Sequence, residues 1–128
     1  MNWRFMAVLL GAAALLLPSC GAESQLISIA LIPASVNFQG PGAQIQFKAI
    51  GTYIHPPATR DITSLVQWSS NAPTVATITS SGLATGVSTC GIGEILATYY
   101  TNPGNPSKGT TVVATAQAID GINNGKCQ

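Results

Sequence analysis

From Ala43 to Tyr53 the chain alternates without a break. Ala43, Ile45, Phe47, Ala49, Gly51 and Tyr53 fall on one parity, and Gln44, Gln46, Lys48, Ile50 and Thr52 on the other. A period of two buries one face of a strand and wets the other, and no helix presents it. A strand with one dry face needs a second layer to cover it, so this run commits the chain to a packed sheet architecture. The composition agrees: 46% of residues are hydrophobic, only 7% are charged, and there are 13 Gly and 8 Pro in 128 residues. That is the profile of an all-β domain with many turns.

The remaining segments follow the same pattern in shorter pieces. Leu26 to Ile32 reads as a strand with Ile27, Ile29 and Leu31 on one face, ended by Pro33, which cannot donate to a ladder. Val36 and Phe38 offer a short alternation before the Gly40-Pro41-Gly42 turn. Ile54 to Thr59, holding Pro56-Pro57, reads as a loop. Val66 and Trp68 mark the next strand, then Val75 to Ile78, Leu83 to Val87, and Gly91 to Tyr100 with Gly93, Ile95 and Ala97 inward. Asn71-Ala72-Pro73 and Ser80-Ser81-Gly82 turn the chain between them. Asn102 to Gly109 is a polar loop, and Thr110 to Ile119 is a last strand whose inward parity stays open between Val112 and Val113. Turn signals roughly every 8–12 residues predict seven to eight strands in a sandwich of two antiparallel sheets. Phe47, Trp68, Ile78 and Ile95 are its expected core.

The N-terminal segment is a different kind of sequence. Arg4 precedes an apolar run from Phe5 to Leu17. That run is about 13 residues, against the roughly 20 a spanning helix needs, so it suits the core of a signal peptide. It ends in Leu17-Pro18-Ser19-Cys20, which resembles a bacterial lipoprotein signal: a cysteine after a small residue, with an aliphatic residue three positions before it. The resemblance implies cleavage before Cys20, a thioether-linked diacylglycerol on its sulfur, and acylation of its amino group. An ordinary secretory signal beside an incidental cysteine is the other reading; the place of Cys20 at the end of the apolar run favours lipidation. The chain then divides into a signal peptide (1–19), a lipidated N-terminus and linker (20–25), a globular domain (26–119) and a C-terminal tail (120–128). Gly21 after Cys20 is, by resemblance to enteric lipoproteins, the outer-membrane pattern.

The pieces Asp61-Ile62-Thr63, Val66-Gln67-Trp68-Ser69-Ser70-Asn71, Val75-Ala76-Thr77-Ile78 and Gly82-Leu83-Ala84-Thr85-Gly86-Val87, with Gly91, Ile95 and Ala97 after them, resemble the bacterial immunoglobulin-like domain, group 2. Domains of that family occur in intimin- and invasin-like surface proteins. The resemblance spans roughly residues 26–118. It implies a non-enzymatic cell-envelope protein with a structural or adhesive role, bound to the membrane by its lipid, with an envelope protein or a glycan as the candidate partner.

Lipidation of Cys20 leaves Cys90 and Cys127, an even pair in an exported, oxidising setting. Cys90 sits at the start of one long strand and Cys127 a short tail after the end of the next, so the two are expected to form a disulfide. In this topology the N-terminus is expected at the end carrying the Ile54–Thr59 and Asn102–Gly109 loops, and the linker from Cys20 is short. That end should therefore face the membrane.

Charge and chemistry exclude several functions. Of five basic residues Arg4 lies in the signal segment, and four acidic residues balance the rest, so no basic stripe for nucleic acid exists. His55 is the sole histidine and stands in a proline-bounded loop. No G-x-S-x-G setting supports a hydrolytic triad, and Glu23, Asp61, Glu94 and Asp120 are too scattered for a calcium site. No cofactor, metal or small-molecule substrate is expected. Asp61 is expected to accept backbone N–H bonds, and Glu94 to point to solvent. Trp68 reads as core rather than as a sugar-stacking face. Tyr53, Tyr99 and Tyr100 are the candidates for ligand contact, in the alternative reading of a carbohydrate-binding module; the competing reading makes them a rim that closes the core.

Overall fold

The computed structural model describes residues 23–88, 90–123 and 126–127. The strands are β1 (Gln25–Ile32), β2 (Ser35–Phe38), β3 (Gln44–Gln46), β4 (Lys48–Ile54), β5 (Ala58–Asp61), β6 (Gln67–Ser70), β7 (Ala76–Ile78), β8 (Leu83–Gly86), β9 (Gly91–Tyr100), β10 (Thr111–Asp120), β11 (Ile122–Asn123) and β12 (Lys126–Cys127). One layer of the sandwich is the sheet β2-β10-β9-β6. The other is made by β1-β4-β5 and β3-β8-β7, joined because β3 and β4 are successive parts of the alternating run from Ala43 to Tyr53. That run breaks its ladder at Phe47, whose N–H instead donates to Gly82 O at 2.8 Å. Its parity never changes: Phe47, Ala49, Gly51 and Tyr53 all point inward.

The core between the layers takes Leu26, Leu31, Phe47, Ala49, Tyr53, Ala76 and Ala84 from one side, and Phe38, Trp68, Ile95, Ala97, Ala116 and Ala118 from the other. Many of these are alanines, so the large rings fill the space that small neighbours leave. Trp68 is 8% exposed and tilts against Phe47 with ring centroids 6.3 Å apart. Its Nε1 donates to Thr63 O at 3.0 Å, satisfying the one polar atom a buried tryptophan carries. Ile78 is half-buried against this cluster. Gly51 and Gly82 are among the glycines that the packing requires. A Cβ on Gly51 would come within 2.7 Å of Leu26 Cδ1 and 2.9 Å of Ile62 Cδ1. Gly82, at φ +84°, makes the turn between β7 and β8, and a Cβ there would lie 2.9 Å from Phe47 O.

Four features depart from the sequence-based expectation. In β1, Ile27 is 48% exposed and Leu26 is buried instead, because the register with β4 slips between Leu26 and Ser28. A bulge shifts the parity of the residues on either side of it, which strict alternation cannot anticipate. Second, the sheets are not purely antiparallel. After Pro33 the chain crosses to the other layer, and β2 pairs parallel with β10 from Ser35↔Gln117 to Phe38↔Asp120. Third, the expected loop Ile54–Thr59 is shorter, since β5 already begins at Ala58 and pairs with β4. Last, the tail folds back as the β11–β12 hairpin, with Ile122 opposite Cys127. The open parity of the last strand is settled by its partner β9. Val112, Ala114, Ala116 and Ala118 stand opposite the inward residues Tyr99, Ala97, Ile95 and Gly93, and Val113 is left 50% exposed.

Candidate functional site

The three tyrosines lie at strand ends that the register brings to one end of the sandwich. Tyr53 closes β4, opposite Leu26 of β1 and Ala58 of β5. Tyr99 and Tyr100 close β9, opposite Val112 and Thr111 of β10. Beyond them Thr101 and Thr110 clamp the hairpin loop: Thr101 N donates to Thr110 O at 3.1 Å, and Thr110 N to Thr101 Oγ1 at 2.7 Å. The loop contains one turn of 3-10 helix, Pro106–Lys108.

The tyrosines play unequal parts. Tyr53 is 7% exposed, so the expectation that it offers an open ligand contact does not hold; it belongs to the core. The Arg60 guanidinium sits 5.0 Å from the centre of its ring, a cation–π distance. Burial pushes the Tyr53 hydroxyl above its usual pKa of 10.0, Tyr99 beside it adds to the rise, and Arg60 opposes it. Tyr99 shares the inward parity of Ile95 and Ala97 and is half-buried against the core. Tyr100, one residue on, takes the opposite face and is half-buried there.

Two concavities flank this tyrosine end. The larger, about 580 Å³, is lined by Leu65, Gln67, Thr98, Tyr100, Pro103 and Pro106 among others. The smaller, about 390 Å³, is lined by Glu23, Ser24, Gln25, Tyr53, Tyr99 and Thr110 among others. Tyr99 and Thr101 line both. The larger groove pairs an apolar wall with side-chain amide and hydroxyl groups and has no ionised residue in its lining. It can therefore take a partner by apolar contact and neutral hydrogen bonds. Leu65, 62% exposed at its edge, was not singled out in the sequence, since it joins the hairpin-loop prolines only when β6 and β9 pair.

The opposite end of the sandwich carries the disulfide. Cys90 and Cys127 are bonded, with Cα atoms 5.3 Å apart. Gly91 pairs with Asp120, and the β11–β12 hairpin then returns Cys127 to Cys90. Ile32, Val87 and Ile92 are exposed on this half of the domain (54%, 44% and 56%). Asp120, at the end of β10, is fully buried, and neither carboxylate oxygen has a hydrogen-bond partner among the described residues. Nothing in its sequence neighbourhood distinguished it from a solvated tail residue.

The other acids lie in ordinary surface settings. Asp61 Oδ1 accepts bonds from Thr63 N and Thr63 Oγ1 in an Asx turn at the end of β5. The Thr63 hydroxyl and N–H hold its carboxyl below the usual range, with a smaller contribution from Lys48. Glu94 is exposed and accepts from Asn71 Nδ2 at 3.1 Å. His55 is exposed in the β4–β5 turn. Among the described residues no three His, Cys, Asp or Glu side chains gather as a metal site would require, and no helix is long and apolar enough to cross a membrane. Cys20 and the signal segment lie outside the described residues.

The chain matches no protein-family model. It is similar to Ice-binding protein 1 of Shewanella frigidimarina (strain NCIMB 400), at 38% identity over 104 residues. The match covers 77% of this chain and 11% of that protein, so the chain spans about a ninth of the length of the relative it matches.

Proposed function

We propose that this chain is a non-catalytic domain of the bacterial cell envelope, of the bacterial immunoglobulin-like type, held to a membrane, most simply the outer one, by a lipid on Cys20, with a structural or adhesive role. The observation that carries the reading is the Cys90–Cys127 disulfide, because such a bond belongs to an oxidising, extracytoplasmic compartment. The resemblance is supported by where its pieces fall: W-S-S on β6, A-T-I on β7 and L-A-T-G on β8, each in a strand of the sandwich. A match to a ninth of a much longer protein fits a unit that serves as one module among others.

Adhesive contact would fall on the end away from the anchor. The described chain begins at Glu23 beside Tyr53, Tyr99 and Thr110, so the disulfide end, with exposed Ile32, Val87 and Ile92, is the outward one. The test is fractionation of cells expressing the full chain and Cys20→Ala, with metabolic labelling by a fatty acid. Label on the wild type, lost with release or non-processing of Cys20→Ala, is the expected result; unlabelled wild-type protein overturns the anchor.

The neutral groove beside Tyr100 favours a second reading, carbohydrate binding, with the ring as a stacking face and Gln67, Thr98 and Thr101 as hydrogen-bonding groups. Glycan-array binding abolished by Tyr100→Ala would establish it. Ice adsorption, the property named for the relative, is checked with the same purified protein by partition into growing ice.

A further inference from the structure

The start of the described chain lies at the groove end of the sandwich. Glu23 and Ser24 line the smaller concavity together with Tyr53, Tyr99 and Thr110, which places the start of the described chain at the tyrosine end. Two residues, Gly21 and Ala22, separate Glu23 from Cys20, and the three Cα–Cα steps reach at most about 11 Å when fully extended. If Cys20 carries acyl chains, this end of the domain cannot stand far from the bilayer that holds them.

The surface at this end suits the headgroup layer. Leu65 is 62% exposed at the rim of the larger groove, and Tyr100, Pro103 and Pro106 line it. The neighbouring β4–β5 turn adds exposed Pro56 and Pro57. Tyrosine is enriched where one end of a side chain is apolar and the other wet, which is the condition of a membrane boundary. Lys108 is exposed on the same hairpin loop, and an anionic leaflet attracts such a cation. A soluble macromolecule would have to enter between the domain and the membrane to reach these residues.

We propose that the Leu65–Tyr100–Pro103–Pro106 rim is a membrane-docking surface: it rests on the headgroup layer of an anionic bilayer and fixes the domain upright, with the Cys90–Cys127 end presented outward. The proposal rests on lipidation of Cys20. Docking does not add to the affinity of an anchor with several chains; it fixes orientation. A lipid surface also leaves the groove closed to free glycan.

The experiment uses the lipidated full chain reconstituted in vesicles of phosphatidylethanolamine and phosphatidylglycerol whose acyl chains are brominated near the headgroup. Tyr100→Trp adds a fluorophore at the rim, and Ile92→Trp adds one at the opposite end; the unsubstituted chain supplies the background from Trp68. Docking predicts that the emission added by Tyr100→Trp is quenched, and that added by Ile92→Trp is not. Mass spectrometry of the same samples reads the lipid on Cys20. Protein without lipid would overturn the anchor and the docking together. Lipidated protein that floats with the vesicles, yet shows no quenching at Tyr100→Trp or equal quenching at both sites, would overturn docking and leave the anchor standing. Protection of an unquenched Tyr100→Trp from iodide by a soluble glycan would assign the groove to carbohydrate instead.

Discussion

Replacing both cysteines, as Cys90→Ser with Cys127→Ser, should remove a large part of this domain's stability. The two are 37 residues apart in the chain. On the chain-entropy relation a loop of that length restricts the unfolded ensemble by about 13 cal/mol/K, or about 4 kcal/mol at 25 °C. The Cα separation of 5.3 Å lies inside the usual range for such a bridge, so the backbone needs no distortion to hold it. Against a total of ~5–15 kcal/mol for a domain, the loss corresponds to a fall in Tm of roughly 15–30 °C. A local effect accompanies the global one. β11 and β12 are two residues each, too short to hold a hairpin by their own ladder, so the tail should become an early site of proteolysis. Urea unfolding of the mature domain measures the first effect, and limited proteolysis read by mass spectrometry the second. The slope of free energy on urea should rise in the variant, because its unfolded chain is more expanded. A loss below about 1 kcal/mol with an unchanged slope would refute the entropic argument, whatever the tail does.

Trp68→Ala should cost about 3–5 kcal/mol in urea unfolding, the usual range for a large buried aromatic, and Trp68→Phe less, chiefly through the lost donor to Thr63 O. Because the folded pKa of Tyr53 is raised, its contribution is fully present below the unfolded value near 10 and is lost as pH rises through the folded one. Unfolding free energy should therefore fall as the pH rises above about 10, and Tyr53→Phe should flatten that limb; an identical profile in the variant would contradict it. Asp120→Asn keeps the shape of a fully buried side chain whose oxygens have no hydrogen-bond partner among the described residues, so it should not lower the urea midpoint; a lower midpoint would show that the carboxyl group is held by a contact of its own.

What the chain determines locally was legible without coordinates. The alternation from Ala43 to Tyr53, the inward parity of Gly93, Ile95 and Ala97, and the turns at Gly40–Gly42 and Ser80–Gly82 all follow from side-chain pattern and backbone preference, which operate within a few residues. The Cys90–Cys127 pair was legible as well, since counting cysteines and ordering two strands is enough to bring them together. Tertiary structure decided what depends on a partner strand. Val112 and Val113 are equivalent in sequence, and only the register with β9 turns one inward. β5 has no apolar face for periodicity to detect; it is a strand because β4 offers it an edge. Leu26 replaces Ile27 in the core because a bulge slips β1 by one position against β4. Tyr53, Tyr99 and Tyr100 are named equally by the sequence, yet one is buried beneath an arginine, one is shared between two concavities and one lines the outer groove. Asp120 reads as a solvated tail residue until the fold buries it. In each case the deciding energy is a contact between residues far apart in the chain, and a local pattern carries no record of which neighbour the fold will supply.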